Sequence, residues 1–412
     1  MILPDPVLRG CEPASTTRAW PRVLGALTGR RAGRLLVVLA GIHGNEDGGL
    51  RAARRVLQRL APAASELRGR FVVLAGNRAA LARDVRYVDR DLNRIWTVEE
   101  LGALRTSDPA HDDAERAEQR ELLREIEARL AATRGESREP AVFLDLHSTS
   151  GDGPPFCVLG DTVQNRRLGF ALGAPMILGL EERIEGPLLG LFADRGYAAI
   201  GLEGGRHDLD STVDRHESAI WITLVSSGLL RRREVPDFDE HRERLRAASR
   251  GLPSIVEVTH RHGLEPGENF RMAPGYANFQ WVRRGEILAE SVDRNRTIAA
   301  PHSGYLLLPR YQGLGLDGFY LGRRVRPFWL SLSSFVRKLR LSRHANWLPG
   351  VSYHHGTSET LVVDERIARW LTLQVFHLLG YRRCHREGRR LIFRRRHETP
   401  AEAARARLES TG

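Results

Sequence analysis

Apolar runs alternate with amphipathic stretches through the first 230 residues of the chain. The runs are four to six residues long and are followed by glycine or polar residues, which indicates buried strands. These predicted strands span 35–40, 71–75, 141–146, 156–159 and 198–202, with an edge strand near 23–27. The amphipathic stretches predict helices over 47–60, 112–132, 164–172, 188–195 and 212–230. Strands that alternate with helices predict an α/β sheet covered on both faces.

Beyond residue 235 the pattern changes to short strand-like runs broken by glycine and proline. These runs predict a small β domain over 252–325. From residue 326 the chain is punctuated by proline and is expected to be irregular to about 358. A helix over 364–379 and a basic hairpin-like segment over 381–396 are predicted to follow. We therefore predict an α/β domain in 1–235, a small β domain in 252–325 and a C-terminal α+β extension of unknown role in 326–412.

Composition limits the cellular compartments and the kinds of partner that are expected for this protein. The net charge of +12 comes almost wholly from arginine, and it suits small acidic substrates. A solvated surface explains the charge better than a nucleic-acid or membrane role, and the basic segment 381–396 is best interpreted as a solvated hairpin. Three cysteines far apart favour a reducing compartment, and no apolar run approaches the ~20 residues of a membrane helix. We expect a cytoplasmic protein.

The first candidate metal-binding motif is Gly41-Ile42-His43-Gly44-Asn45-Glu46, directly after the strand predicted over 35–40. The carboxyl ends of strands are where ligand sites collect in α/β sheets. His43 and Glu46 lie three residues apart in a glycine-rich turn and can face one cation. Zn²⁺ accepts imidazole and carboxylate ligands and keeps an open position for water in catalytic sites.

His147 is the candidate third ligand, because it follows the strand predicted over 141–146. Asp145 lies two residues earlier and so on the same face of that strand. A carboxylate in that position can accept the second imidazole proton and fix the tautomer. Three ligand-type residues at strand ends favour a metal site over isolated structural histidines.

Two further features were open to a functional and a structural interpretation. Glu203 ends the strand predicted over 198–202 and is followed by two glycines, so it can act as a proton-transferring base or as a capping or salt-bridged acid. The loop 86–94 contains Arg86, Asn93 and Arg94, whose forked donors suit a carboxylate or a carbonyl. On its own, this loop is more typical of an exposed salt-bridged surface.

Taken together and in chain order, the motifs resemble the succinylglutamate desuccinylase/aspartoacylase family, relatives of the zinc carboxypeptidases. The resemblance covers about 34–230. It rests on five motifs: Gly-Ile-His-Gly-Asn-Glu at 41–46, Asn-Arg-Ala at 77–79, the loop 86–94, Asp-Leu-His-Ser-Thr at 145–149 and Gly-Leu-Glu-Gly-Gly at 201–205. It implies a three-layer catalytic domain with a mixed sheet, followed by a small β domain.

The resemblance also implies roles. One Zn²⁺ per chain would be held by His43, Glu46 and His147. Glu203 would act as general base and then as general acid, and Arg86 would polarise the scissile carbonyl and stabilise the oxyanion. Asn93 and Arg94 would clamp the α-carboxylate of the substrate.

One departure from the family concerns the substrate side chain. Aspartoacylases carry an arginine about ten residues before the catalytic glutamate, where this chain has Ala193. Arg195 is a candidate substitute; otherwise the preference for an acidic side chain is absent.

We therefore expect a zinc-dependent amidohydrolase that cleaves an N-acyl amino acid, with an N-succinyl or N-acetyl acidic amino acid as one option. A zinc carboxypeptidase that trims short peptides and a non-catalytic metal-binding module are the alternatives. The expected partner is a small-molecule carboxylate, and neither nucleic acid nor membrane is expected.

Overall fold

The computed structural model describes residues 19–133, 135, 137, 139–265, 267–311, 316–338, 347–354, 359–364, 376 and 379–411. Most of the helix predicted over 364–379 lies outside these residues. Among the described residues, every helix is too short or too polar to cross a bilayer.

Strands and helices alternate through the first 248 residues. In order they are β1 Val23–Thr28, β2 Arg31–Ala40, α1 Gly48–Leu60, β3 Arg68–Ala75, α2 Arg78–Leu81, α3 Val98–Thr106, α4 Ala114–Ala132, β4 Val142–Thr149, β5 Phe156–Leu159, α5 Val163–Leu172, β6 Met176–Leu178, α6 Leu188–Asp194, β7 Ala198–Arg206, α7 Asp210–Ser226 and α8 Phe238–Ala248.

The rest of the described chain is richer in strands. It comprises β8 Ile255–Gly263, β9 Phe270–Met272, β10 Trp281–Val282, β11 Ile287–Ser291, β12 Arg296–Ala299, β13 Gly304–Leu307, β14 Asp317–Arg324, α9 Pro327–Lys338, β15 Val351–Tyr353, β16 Thr360–Asp364, β17 Tyr381–Glu387, β18 Arg390–Arg395 and α10 Pro400–Thr411.

A mixed sheet of eleven strands organises the molecule, in the order β1-β3-β2-β4-β7-β5-β6-β8-β14-β13-β10. Strands β3, β2, β4 and β7 run parallel, whereas β1 and β5 are antiparallel to their neighbours β3 and β7. Smaller sheets contain β12-β11-β9 and β15-β16-β18-β17. The predicted α/β architecture with a mixed sheet is thus confirmed.

Both faces of the central strands are buried, because alternate residues of one strand enter two separate cores. Leu36 and Val38 of β2 pack in a core with α1, α5 and α7. Leu35 and Val37 pack in a second core with α3, α4 and α6. Helices therefore cover the sheet on both sides, as the alternation of strands and helices predicted.

The boundary predicted between 235 and 252 falls within one continuous sheet. Strand β8 pairs in parallel with β6, and β14 pairs with β8. Strands from both sides of the boundary therefore share hydrogen bonds. The division of the chain into domains remains a prediction.

The C-terminal part gave one wrong prediction and one confirmed one. We expected no regular structure from 326 to 358, but α9 begins at Pro327 and β15 lies at Val351–Tyr353. Proline has no backbone N–H to lose in the first turn of a helix, so Pro327 starts α9 rather than breaking the chain. The basic hairpin predicted over 381–396 is confirmed by β17 and β18, which pair antiparallel.

Candidate active site

Three parallel strands end at one edge of the main sheet and carry the candidate residues. Ala40 at the end of β2 is in register with Leu146 of β4, and His147 of β4 is in register with Glu203 of β7. The turn that contains His43 and Glu46 follows β2 directly. Parallel pairing therefore brings together side chains that lie up to 160 positions apart in the sequence.

The turn after β2 packs against the chain at the end of α2. A Cβ on Gly44 would lie 2.1 Å from the carbonyl carbon of Ala80, so only glycine fits there. The N–H of Gly44 donates to the carbonyl oxygen of Arg86 at 3.1 Å, and the N–H of Glu46 donates to that of His43 at 3.2 Å. These contacts fix the turn beside the arginine loop.

His43, Glu46 and His147 converge in the buried interior. One ligand-type atom from each lies within 4.8 Å of the other two. Glu46 Oε1 is 2.9 Å from His43 Nδ1, and Glu46 Oε2 is 3.3 Å from His147 Nδ1. Two imidazoles and one carboxylate thus face a common point.

Carboxylates contact the Nε2 atoms of both imidazole rings and so fix the orientation of the rings. His147 Nε2 lies 2.9 Å from Asp145 Oδ2, and His43 Nε2 lies 3.2 Å from Asp91 Oδ1. Both Nδ1 atoms are therefore left for the common point, an arrangement typical of metal-binding histidines.

The charges around this point favour a cation. Burial opposes ionisation of Glu46, but His43 and His147 lower its pKa well below the ordinary value. Burial likewise disfavours charge on His147, whose pKa Asp145 and Glu46 nevertheless raise well above the ordinary value. Two nitrogen donors and one oxygen donor inside a shell of carboxylates fit Zn²⁺ by donor type and charge.

Glu203 lies beside this cluster in a different environment. Its Oε2 is buried and makes no hydrogen bond to the described residues. Burial raises the pKa of Glu203 to about 8, and Glu46 adds to this rise while His147 and Arg86 oppose it. The carboxyl group is therefore poised to bind or release a proton near neutral pH.

A histidine that the sequence analysis did not single out supports the end of β4. His216 of α7 places Nε2 2.8 Å from the carbonyl oxygen of His147, and burial lowers the pKa of His216 to about 4. The neutral ring therefore donates this hydrogen bond. A Cβ on Gly204 would lie 2.5 Å from His216 Nε2, so the glycine leaves the space in which the ring sits.

Arg86 is held against the cluster by two acids. Its Nη2 donates to Asp91 Oδ2 at 3.0 Å, and its Nη1 lies 3.7 Å from Glu46 Oε1. Burial works against the charge, but Asp91 and Glu46 together raise the pKa of Arg86. Asp91 therefore bridges His43 and Arg86, a role that the sequence did not suggest.

A buried glutamate from α4 shapes the arginine loop. Glu115 Oε1 accepts hydrogen bonds from the N–H of Val88 and from Asn77 Nδ2, both at 2.8 Å. Glu115 Oε2 accepts from the N–H groups of Asp89 and Arg90 at 2.9 and 3.2 Å. The sequence analysis missed this residue, because it lies on a distant helix with no motif around it.

Asn93 and Arg94 lie in a short 3₁₀ turn that contacts the N-terminus of α6. Asn93 Oδ1 accepts from the N–H of Leu188 at 2.9 Å. Arg94 Nη1 donates to the carbonyl oxygen of Asn93 at 2.9 Å, and its Nη2 lies 3.8 Å from Asp317 Oδ2.

A cavity of about 220 Å³ unites these groups. All but one of the residues predicted for the site line it, namely His43, Glu46, Arg86, Asn93, Arg94, Asp145, His147 and Glu203. The described C-terminal residues Arg382 and Arg396 also line it, and nothing in the sequence indicated this.

Arg195 is the exception, because it does not line the cavity, and the structure therefore gives no support to its predicted role in binding substrate. Its guanidinium lies 3.5 Å from Glu127 and 5.8 Å from the ring centre of Phe192, and Arg195 is not part of the cavity wall. Ala193 lies on α6 and lines the cavity, whereas Arg195 follows the last residue of α6 and directs its guanidinium at Glu127.

Comparison with known proteins finds a match for the part of the chain that contains His43, Glu46 and His147. Residues 32–165 match the family model described as the succinylglutamate desuccinylase/aspartoacylase catalytic domain. An N-acyl-aromatic-L-amino acid amidohydrolase from Rattus norvegicus is 34% identical over 141 residues, which cover 34% of this chain and 41% of that protein. A succinylglutamate desuccinylase from Pseudomonas putida is 34% identical over 97 residues, 21% of this chain and 29% of that protein. The chain thus matches less than half the length of these relatives.

Solved structures resemble the fold of this chain over a longer stretch than the 32–165 region matched by sequence. A succinylglutamate desuccinylase/aspartoacylase from Rhodobacter sphaeroides aligns with a TM-score of 0.52 at 18% identity, covering 73% of this chain and 88% of that one. A succinylglutamate desuccinylase from Vibrio parahaemolyticus aligns with a TM-score of 0.50 at 13% identity, covering 72% and 83%. The resemblance inferred from the motifs is confirmed over residues 32–165, which are similar to the catalytic domain of the succinylglutamate desuccinylase/aspartoacylase family.

Proposed function

We propose that this protein is a zinc-dependent amidohydrolase that cleaves an N-acyl amino acid into a carboxylate and a free amino acid. The observation that carries the proposal is the convergence of two imidazoles and a carboxylate beside Glu203, whose Oε2 is buried and makes no hydrogen bond to the described residues. The names of the relatives, an N-acyl amino acid amidohydrolase and a succinylglutamate desuccinylase, support the same reaction class.

Zn²⁺ would be held by His43, Glu46 and His147, with Asp91 and Asp145 orienting the two imidazoles. When bound, this ion supplies a Lewis acid for the scissile carbonyl and lowers the pKa of nearby water. The rest of the reaction is assigned to the side chains of the chain itself.

Glu203 takes the proton of the attacking water and later delivers a proton to the leaving nitrogen. A pKa of about 8, raised by burial, suits a group that must both accept and return a proton. Arg86 donates to the carbonyl oxygen as negative charge develops on it, and Asp91 holds its guanidinium in place. Arg94, on the cavity wall next to Asn93, binds the α-carboxylate of the amino acid.

Glu203→Gln tests the proposal, because the amide keeps the shape of the side chain and cannot accept the proton. We expect a loss of about 10²–10⁴-fold in kcat on N-acetyl and N-succinyl amino acids, with zinc content unchanged by elemental analysis. Glu217→Gln is the matched control, since Glu217 is also buried but pairs with Arg55 and Arg59, away from the cavity. Full turnover by a zinc-loaded Glu203→Gln protein would remove the assignment, and cleavage of short peptides alone would favour a carboxypeptidase.

A further inference from the structure

The C-terminal segment, meaning the described residues from 326 onward, reaches the active-site cavity. Arg382 lies on β17 and Arg396 directly follows β18, and both line the cavity together with the predicted catalytic groups. Both arginines lie outside residues 32–165, the part of the chain that matches the family model.

A buried ionic network fixes this segment to the wall of the cavity. Asp161 pairs through its carboxylate with Arg166 of α5 and, at 2.9 Å, with Arg337 of α9. Glu398 accepts from the N–H of Val163 at 2.8 Å. Because Gly160 and Thr162 beside these anchors line the cavity, the segment is attached at the site itself.

Helix α6 forms part of the cavity wall, and its two ends contact different parts of the chain. At its beginning, the N–H of Leu188 contacts Asn93, next to the arginine proposed to bind the α-carboxylate. At its end, Asp194 pairs with Arg382 of the C-terminal segment at 2.7 Å. We call the part of the cavity that lies along α6, from Leu188 to Asp194, the arm. Seven residues at ~1.5 Å each make the arm about 10 Å long.

The wall of this arm is apolar. Leu189 and Ala193 lie four residues apart, on one face of α6, and both line the cavity. The facing apolar residues come from β5 and from the loop after β6, and they are Val158, Leu159, Leu180 and Ile184.

The arginines at the far end already have acidic partners. Arg382 pairs with Asp194, and Arg396 lies 2.8 Å from Glu181 and 2.9 Å from Glu182. Both guanidinium groups are thus already paired, and a substrate carboxylate entering the arm would have to displace one of these acids. Arg310, another arginine on the cavity wall, lies over the ring of Phe270.

We propose that this arm binds an apolar amino-acid side chain and that the C-terminal segment closes its far end and limits the length of that side chain. The inference rests on the proposed function: the side chain is attached to the carbon that bears the clamped α-carboxylate, so it is the group that lies along α6. Apolar side chains of medium length are preferred, and aspartate and glutamate are not.

A substrate series tests the preference for apolar side chains. The kcat/KM of the intact, zinc-loaded protein is measured on N-acetyl derivatives of alanine, norvaline, norleucine, phenylalanine, aspartate and glutamate. We expect a rise of up to about fourfold for each added methylene, and phenylalanine at least tenfold above aspartate and glutamate. If the aspartate or glutamate derivative were the best substrate, the inference would be overturned and the proposed deacylase function would stand. If none of the derivatives were hydrolysed, both the inference and the proposed deacylase function would be overturned.

Two variants test the walls of the arm. Ala193→Leu narrows the arm and is expected to lower the ratio of kcat/KM for phenylalanine to that for alanine at least tenfold. Arg382→Ala opens the far end and is expected to raise kcat/KM at least tenfold for a longer side chain such as 4-phenylphenylalanine, relative to phenylalanine.

Matched controls lie on the same kinds of element, away from the cavity. Ala247→Leu alters an exposed position of α8, and Arg395→Ala removes a neighbour of Arg396 that pairs with Glu359 instead. Neither control is expected to change the substrate ratios, and thermal unfolding checks that all four variants are folded. Unchanged ratios in the folded Ala193→Leu and Arg382→Ala proteins would overturn the inference.

Discussion

Glu115 offers a sharp test of how the arginine loop is held. The carboxylate is fully buried on α4, and each of its oxygens accepts two hydrogen bonds from the region of Arg86. In Glu115→Gln one oxygen becomes an NH₂ group, which can only donate. Whichever way the amide turns, two donors of the loop region face another donor.

The magnitude follows from the two hydrogen bonds that are lost with this one acceptor oxygen. A buried donor left without a partner costs ~1–3 kcal/mol, so two cost ~2–6 kcal/mol. Asp89 is exposed and water can reach part of the loop, so we expect the lower part of this range, ~2–4 kcal/mol of unfolding free energy. Displacement of Arg86 by about 1 Å should also lower kcat/KM on the order of 10²-fold.

Urea unfolding and steady-state kinetics measure the two effects separately. Glu125→Gln is the matched control, because Glu125 lies on the same helix and forms a half-buried pair with Arg129 four residues later, an interaction of ~0.5 kcal/mol or less. If Glu115→Gln matched this control in both stability and kcat/KM, the loop would not depend on α4 and the reasoning would be refuted.

Three further predictions concern residues around the site. Asp145→Asn should weaken zinc binding ~10–100-fold in a chelator competition, because Asp145 orients His147; an unchanged affinity would exclude that role. Gly204→Ala should lower the free energy of unfolding by ~1–3 kcal/mol, because the new methyl group meets the ring of His216, and a melting temperature equal to that of the unmodified protein would contradict this. Although burial opposes it, Arg337 and Arg166 hold the pKa of Asp161 well below its ordinary value of 3.8. Its contribution to stability is therefore present above pH ~4 and falls as the pH drops further, and Asp161→Asn should flatten the decline in unfolding free energy between about pH 5 and pH 2.

The sequence revealed the centre of the site because its signals are local. His43, His147 and Glu203 each follow or end an apolar run, and the carboxyl ends of parallel strands meet at one edge of a sheet. Side chains at these positions converge whatever the order of the other strands. Local pattern and sheet geometry together were therefore enough to bring them together.

The supporting residues could not be found in this way, because their contacts depend on the rotation and docking of distant elements. Glu115 faces the loop only because of the orientation of α4, and Arg396 reaches the cavity only because the chain after β18 docks beside α5. The position of Arg195 depends on the same kind of detail. It follows the last residue of α6, and its side chain is directed at Glu127 rather than into the cavity.

The distribution of charge in the cavity limits how many substrate carboxylates it can bind. Arg86 is engaged by Asp91 at 3.0 Å, and Arg382 and Arg396 are engaged by carboxylates at 2.7 to 2.9 Å. Arg94 lies 3.8 Å from Asp317, a longer separation than any of these. Bidentate binding of a new carboxylate is therefore easiest at Arg94, since no short ion pair must be broken there. One carboxylate near the proposed metal ligands and an apolar side chain along α6 is the substrate pattern that this arrangement favours.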